Sequence, residues 1–269
     1  MLEHCYALTT RVQGRAELTV EPGPVVDCLR WRCAPPVVLR QTGPNRMHLV
    51  QAAGGPLGGD ELALDVRLSA GTSLQLRSAA AMVVQPGSPR AAARWTVAAV
   101  LAAGAVLDWH PEPTVICDDA ELCSSMTIVL QRGARAMLRE VVVLGRAGQR
   151  GGRFHGELAV ELDGAPLLAH TLLLDGADPA LSGPAGTAGA RIIGMLAVVG
   201  ESIDGPPECA GEEPGLRWAC SALDGPGWLL LVLGDSPPAV SALLDHAAQN
   251  WSEFRPTSNS SCNPGFEVR

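Results

Sequence analysis

The sequence predicts a mainly β chain of stacked hairpins or β-superhelical coils, forming a single domain with one C-terminal α-helix. Three observations carry this. Apolar runs are short, rich in Val and Leu, and bounded by Gly or Pro, which is the pattern of strands. A glycine with an aliphatic residue three before and about three after recurs at Leu68/Gly71/Leu74, Leu101/Gly104/Leu107 and Leu130/Gly133/Ala136, with a poorer copy at Glu161/Gly164/Leu167. These glycines lie 33, 29 and 31 residues apart, so each reads as the pivot of a strand, tight turn, strand unit in a layered stack. Helical periodicity is confined to the end of the chain.

In chain order, Ala16 to Val20 and Val25 to Trp31 read as a hairpin turned through Glu21-Pro22-Gly23-Pro24. Val37 to Arg40 and Arg46 to Gln51 form a second pair, broken by Thr42-Gly43-Pro44-Asn45. The glycine-centred units follow. The stretch from Ser202 to Gly215, with Asp204, Glu208, Glu212 and Glu213 following Glu201, is expected as a mobile acidic loop. Asp235-Ser236-Pro237-Pro238 supplies an N-cap and a proline-bearing first turn, and Val240, Leu243, Leu244, Ala247 and Trp251 share one helical face. The helix is therefore set at about 237–251, within one domain over 1–256, and 257–269 is expected as a flexible tail.

A chain of 269 residues can bury a sizeable core. Its 20 basic residues against 28 acidic ones give a net charge of -8, which argues against nucleic acid as a partner. All the basic residues are arginine, so Walker lysines and Schiff bases are excluded. The eight cysteines never form a Cys-x-x-Cys pair, and they read as small core hydrophobes, Cys262 in the tail excepted. No basic leader followed by an apolar run opens the chain and no apolar run is long enough to span a membrane, so a cytoplasmic protein without membrane contact is expected.

Catalytic templates are missing. There is no Gly-x-Ser-x-Gly elbow, His-Glu-x-x-His, P-loop or Gly-x-Gly-x-x-Gly motif, and the six histidines are scattered. Asp118 and Asp119 are adjacent, and on a strand they would point to opposite faces. An enzyme is not favoured. The densest motif is Gly54-Gly55-Pro56-Leu57-Gly58-Gly59-Asp60, a shaped turn in which Gly54, Gly55, Gly58 and Gly59 permit positive φ and close backbone approach. Two readings stay open: a binding lip of exposed amides and Asp60, or a turn whose aspartate caps its own backbone.

That turn resembles the hallmark of the urease accessory proteins called UreD or UreH: two glycines, two apolar residues, then Gly-Gly-Asp before a strand. Later segments follow the family's order: Leu62 to Val66 with Ala70-Gly71, Gly104 to Pro111, Leu138 to Arg146, Phe154-His155-Gly156, Gly164 to Leu168 with Leu172 to Gly176, and Trp251 to Pro256. The resemblance spans roughly residues 10–256. It implies a mainly β, superhelical, non-catalytic chaperone that joins UreF and the GTPase UreG on the urease apoprotein subunits, with a dimer of the accessory complex compatible with it. It also implies an internal polar passage for transient nickel(II), with no tightly bound cofactor. Carried over by position, Asp60 is the first candidate on that passage, Glu140 the second and Asp118 the third. The chain departs from the family pattern at Met82-Val83-Val84, where a Lys-x-Tyr pair is common, and at Pro113, where Glu often precedes the Thr. His170 stands where relatives commonly carry Glu, and an imidazole there suits nickel.

Modest affinity is expected of such a passage, because carboxylate, carbonyl and water ligation exchanges faster than thiolate ligation. The acidic loop, the helix and a sheet edge are the expected docking surfaces, and Trp218, Trp228 and Trp251 are expected mainly in the core. Two other functions remain on these residues alone. One is a β-solenoid glycan hydrolase pairing Asp118 with a distant acid; the other is a structural adaptor without a metal passage.

Overall fold

Gly71, Gly104 and Gly133 sit at φ of 70, 69 and 76°, each at a corner where the chain leaves one sheet and enters another. Left-handed backbone turns the chain there without a Cβ penalty. The corners stack: a Cβ built on Gly104 would lie 3.9 Å from the Gly71 backbone, and one on Gly133 would lie 3.5 Å from Gly104. The repeat read from the sequence is thus a column of coil corners. The computed structural model describes residues 11–87, 91–200 and 210–249.

Each coil runs from one sheet to the other. β5 (Glu61–Leu68) leads to β6 (Ser73–Ser78), β8 (Ala93–Leu101) to β9 (Val106–His110), and β11 (Glu121–Leu130) to β12 (Arg135–Leu144). Successive coils pair in parallel, β5 with β8, β8 with β11, β6 with β9 and β9 with β12. At the N-terminal end two hairpins close the stack: β1 (Gln13–Glu21) with β2 (Cys28–Ala34), and β3 (Val37–Gly43) with β4 (Arg46–Gln51). At the other end, β13 (Arg153–Leu162) turns back as β14 (Ala165–Asp175), and β15 (Ile192–Gly200) is followed by β16 (Ala210–Glu213), β17 (Leu216–Ala222) and β18 (Gly227–Gly234). The result is a seven-stranded sheet, β14-β13-β11-β8-β5-β1-β2, facing an eleven-stranded one, whose main path is β16-β17-β18-β15-β12-β9-β6-β4-β3. Two short strands, β7 (Met82–Val84) and β10 (Thr114–Ile116), form a side branch from β12.

The poorer fourth repeat has a structural reason. Asp163 and Gly164, at φ of 49 and 79°, make a tight hairpin turn inside the seven-stranded sheet, so the chain does not cross over there. Three other expectations change. Val25 lies in the turn before β2 and is 91% exposed. Asp118 and Asp119 lie in a turn, Asp119 at φ 60°, rather than on a strand. Within the expected acidic loop, Ala210–Glu213 form β16, paired with β17, and 201–209 lie outside the described residues.

Alternation of apolar and polar residues buries one face of each coil strand. Leu62, Leu64, Val66, Trp95, Val97, Leu122 and Ile128 from one sheet meet Leu49, Leu74, Leu76, Leu107, Trp109, Leu138 and Val142 from the other. A second core lies on the outer side of the larger sheet, where α1 (Pro237–Gln249) sets Val240, Leu244 and Ala247 against Met137, Val141, Leu196, Trp228 and Val232. β15 is buried on both sides, which explains its unbroken apolar run. A Cβ on Gly194 would come 2.6 Å from Val240, so the glycine permits the close seating of the helix. Burying Val240 and Leu244 stabilises this by about 1.5–3 kcal/mol each. The helix begins at Pro237 as expected; positions 250 and 251, and the 257–269 tail, lie outside the described residues.

Candidate functional site

The larger sheet is interrupted beside Glu140. β9 pairs with β12 over Arg135–Leu138, and β10 resumes the pairing at Val142–Leu144, so Pro111-Glu112-Pro113 leave Arg139, Glu140 and Val141 without a strand neighbour on that side. The coil before repeats the break at Ala79–Ala81, between β6 and β7. The coil before that breaks after Gln51, where the Gly54–Asp60 turn replaces strand until Leu57 bridges Gln85. Prolines 111 and 113 lack the N–H that continuous strand pairing would use.

These three breaks align into an opening, and a cavity of about 380 Å³ lies behind it. Its lining runs from exposed Ala53, Gly54, Ala79 to Ala81 and Glu112 at the rim to Trp95, Trp109, Leu122 and Ser124 between the sheets. Gly54 and Gly55 belong to the rim, so the glycine-rich turn shapes the opening.

Glu140 is the acid at depth. Its even-numbered neighbours on β12, Leu138 and Val142, belong to the inter-sheet core, so its carboxyl points inward. It reaches the opposite sheet: a Cβ on Gly156 of β13 would lie 3.6 Å from Glu140 Oε2. The carboxyl meets the cavity but is withdrawn from bulk water, and burial pushes its pKa up to about 7. Its carboxylate form is therefore available near neutral pH without being locked in an ion pair. Ser124 on β11 adds a buried hydroxyl to the same cavity.

On the other face of β12, Arg139 is held by α1. Its Nη1 donates to Asp245 Oδ1 at 2.5 Å, and it also meets His110 Nε2, itself 3.5 Å from Asp245 Oδ1. Burial, Arg139 and Arg77 lower the pKa of His110 to about 4, so at neutral pH the ring is uncharged and accepts from the guanidinium. Arg77 is in turn paired with Asp108. Arg139 also borders the cavity, so this polar cluster fixes one rim of the opening and the helix beside it.

Among the four residues expected on a metal passage, only Glu140 lines the cavity. Asp60 is buried in its own turn: Oδ1 accepts from Val12 N at 3.0 Å and Oδ2 from Leu57 N at 2.9 Å, which gives this aspartate a capping role. Asp118 Oδ1 accepts from Gly151 N at 2.8 Å, in the turn that follows β10. His170 lies on β14, where its buried Nε2 has no hydrogen-bond partner and burial lowers its pKa. Among the described residues, no three His, Cys, Asp or Glu side chains are grouped so that they could hold a metal ion. Cys117 and Cys220 are buried as expected, Cys28 is exposed, and all described cysteines are free thiols. Trp228 is buried and Trp218 half-buried. Among the described residues no helix is long and apolar enough to cross a membrane. Sequence reasoning missed Ser124, Glu112 and the Arg139–His110–Asp245 cluster; the Pro-Glu-Pro segment at 111–113 was the one available signal.

Comparison with known proteins identifies the family. A family model described as UreD urease accessory protein matches residues 15–265. A urease accessory protein UreD of Frankia alni is 37% identical over 266 residues, covering 84% of this chain and 89% of that one. Its counterpart in a Parafrankia species is 35% identical over 271 residues, covering 91% of both chains, and one in Streptomyces coelicolor is 36% identical over 218 residues, 79% and 85% of the two. On matches of this extent the chain belongs to the UreD family of urease accessory proteins.

Proposed function

We propose that this protein is a urease maturation chaperone that holds UreF and UreG on the urease apoprotein and lets nickel(II) pass through the opening beside Glu140. Family membership supports the urease role; the observation that supports the metal route is one ionisable carboxyl, Glu140, at the floor of an opening made by three aligned breaks in the sheet. A single carboxylate with the Ser124 hydroxyl gives oxygen ligation that exchanges readily, which suits a cargo that must leave again. Glu112 at the rim draws the cation in, and the apolar walls of Trp95, Trp109 and Leu122 give it no second resting place. Asp60 serves the route indirectly, by fixing the turn that shapes the rim.

The test is expression of a urease operon with and without this chain, reading nickel bound per urease active site and ureolytic activity. Omission is expected to leave urease assembled, nickel-poor and inactive. Equal nickel and activity in both would refute the proposal.

A further inference from the structure

We propose that β14 is a self-association edge: a second copy of this chain adds its own β14 antiparallel to the first, about a two-fold axis at His170, joining two seven-stranded sheets. Among the described residues, the main paths of the two sheets end in four edge strands, β2, β14, β16 and β3. An edge strand offers unpaired N–H and C=O groups to any extended chain, and proteins guard such edges with charge, shortness or irregularity. Three edges here are guarded. β2 carries exposed Arg30 and Arg32, β3 has an exposed Arg40 and a register shift between Gln41 and Gly43, and β16 is 4 residues long and ends in exposed Glu212-Glu213.

β14 differs. It is 11 residues long, and between Pro166 and Asp175 it carries no Asp, Glu or Arg. Its one irregularity, opposite Val160 and Glu161, lies at its start, and from Leu168 to Asp175 its pairing with β13 is regular. Leu173 is 65% exposed on the outer face.

The strand is self-complementary. Pairing about His170 sets Leu168 opposite Leu172 of the second copy on the inner face, and Ala169 opposite Thr171 of the second copy on the outer face. Directly opposed residues share a face, so each meets its like. His170 meets its own equivalent at the axis. Burial already lowers the pKa of this ring, so two uncharged imidazoles stand there at neutral pH. An interface in which residue i meets j and j meets i is the isologous pattern of two-fold dimers.

The full chain is examined by light scattering across a concentration series, beside Thr171→Lys/Leu173→Lys. Both positions are exposed on the outer face, so the fold is spared; unchanged circular dichroism checks this. The wild-type mass is expected to be that of two chains, and the lysine variant that of one, since the added charges at 171 become diagonal neighbours across the axis and those at 173 face Leu167 of the second copy. The Ala169→Cys/Thr171→Cys variant is expected to form a covalent dimer on mild oxidation, with residue 169 joined to 171 by peptide mapping. A wild-type monomer throughout, a dimer that survives both lysines, or a covalent dimer lacking the 169–171 linkage would overturn the proposal. So would a β14 whose amides become protected from exchange only on addition of another protein. Nickel transfer enters none of these readouts, so this proposal and the metal route stand or fall separately.

Discussion

Glu140 and Gly156 face each other across the sandwich, and the group that leaves no room for a side chain at the glycine is the Phe154 ring rather than the carboxyl. A Cβ on Gly156 would lie 3.6 Å from Glu140 Oε2 and 2.5 Å from the Phe154 ring. Gly156→Ala is therefore expected to destabilise the fold by about 1–3 kcal/mol, the usual cost of overpacking a filled core. Urea unfolding checks this, and an unchanged midpoint would show that Phe154 gives way freely.

Two titrating groups pull stability in opposite directions with pH. His110 has its folded pKa lowered to about 4, so its neutral form stabilises the fold above its ordinary value of 6.5, and that contribution is lost as pH falls through about 4. Glu140 has its folded pKa raised to about 7, so its contribution is complete below its ordinary value of 4.5 and is lost as pH rises through 7. Glu140→Gln is accordingly expected to stabilise the protein at pH 8, by on the order of 2 kcal/mol. His110→Gln is expected to flatten the acid limb between pH 6.5 and 4. Denaturation midpoints measured across pH 4–8 read both effects.

Arg139 is buried, and Asp245 supplies its counter-charge from α1. Asp245→Ala leaves the guanidinium hydrogen-bonded only to a neutral imidazole, with the Glu112 charge near it, so a loss of about 1–3 kcal/mol is expected, with α1 exchanging its amides faster than β12. Arg139→Met combined with Asp245→Ala is expected to recover part of that loss, because no uncompensated charge remains. Equal exchange in α1 and β12 would detach the helix from this pair.

Asp60 is expected to separate structure from chemistry. Asp60→Asn keeps an oxygen acceptor for Val12 N or Leu57 N and is expected to retain the fold, whereas Asp60→Ala leaves both amides unsatisfied and costs about 1–3 kcal/mol. Urease activation should follow stability in both variants. An Asp60→Asn protein that folds normally and yet fails to activate would give this carboxylate a direct part in metal transfer.

The corners of the stack were legible because left-handed turns select glycine, and the period of Gly71, Gly104 and Gly133 is the length of one coil. The C-terminal helix was legible from its prolines and apolar stripe. Glu140 was reachable only through the family resemblance, since an acid among Val and Leu has no local signature of facing a cavity. The opening was not legible. It needs three breaks, near Gln51, Ala80 and Glu112, to fall at one level of the stack, and that alignment depends on strand register rather than on any one segment. Asp118 shows the reverse case: a pair of acids drew attention, and both lie in a turn where Asp118 caps the Gly151 amide. His170 shows a third case, an imidazole on an edge strand that is not among the residues lining the cavity.

The metal route is tested most directly by co-expressing Glu140→Gln with the urease operon and measuring nickel per urease active site in complexes recovered through the accessory proteins. Glutamine keeps the size and removes the charge. Complexes of unchanged composition carrying markedly less nickel are expected; a full complement of nickel in those complexes would contradict a role for this carboxyl.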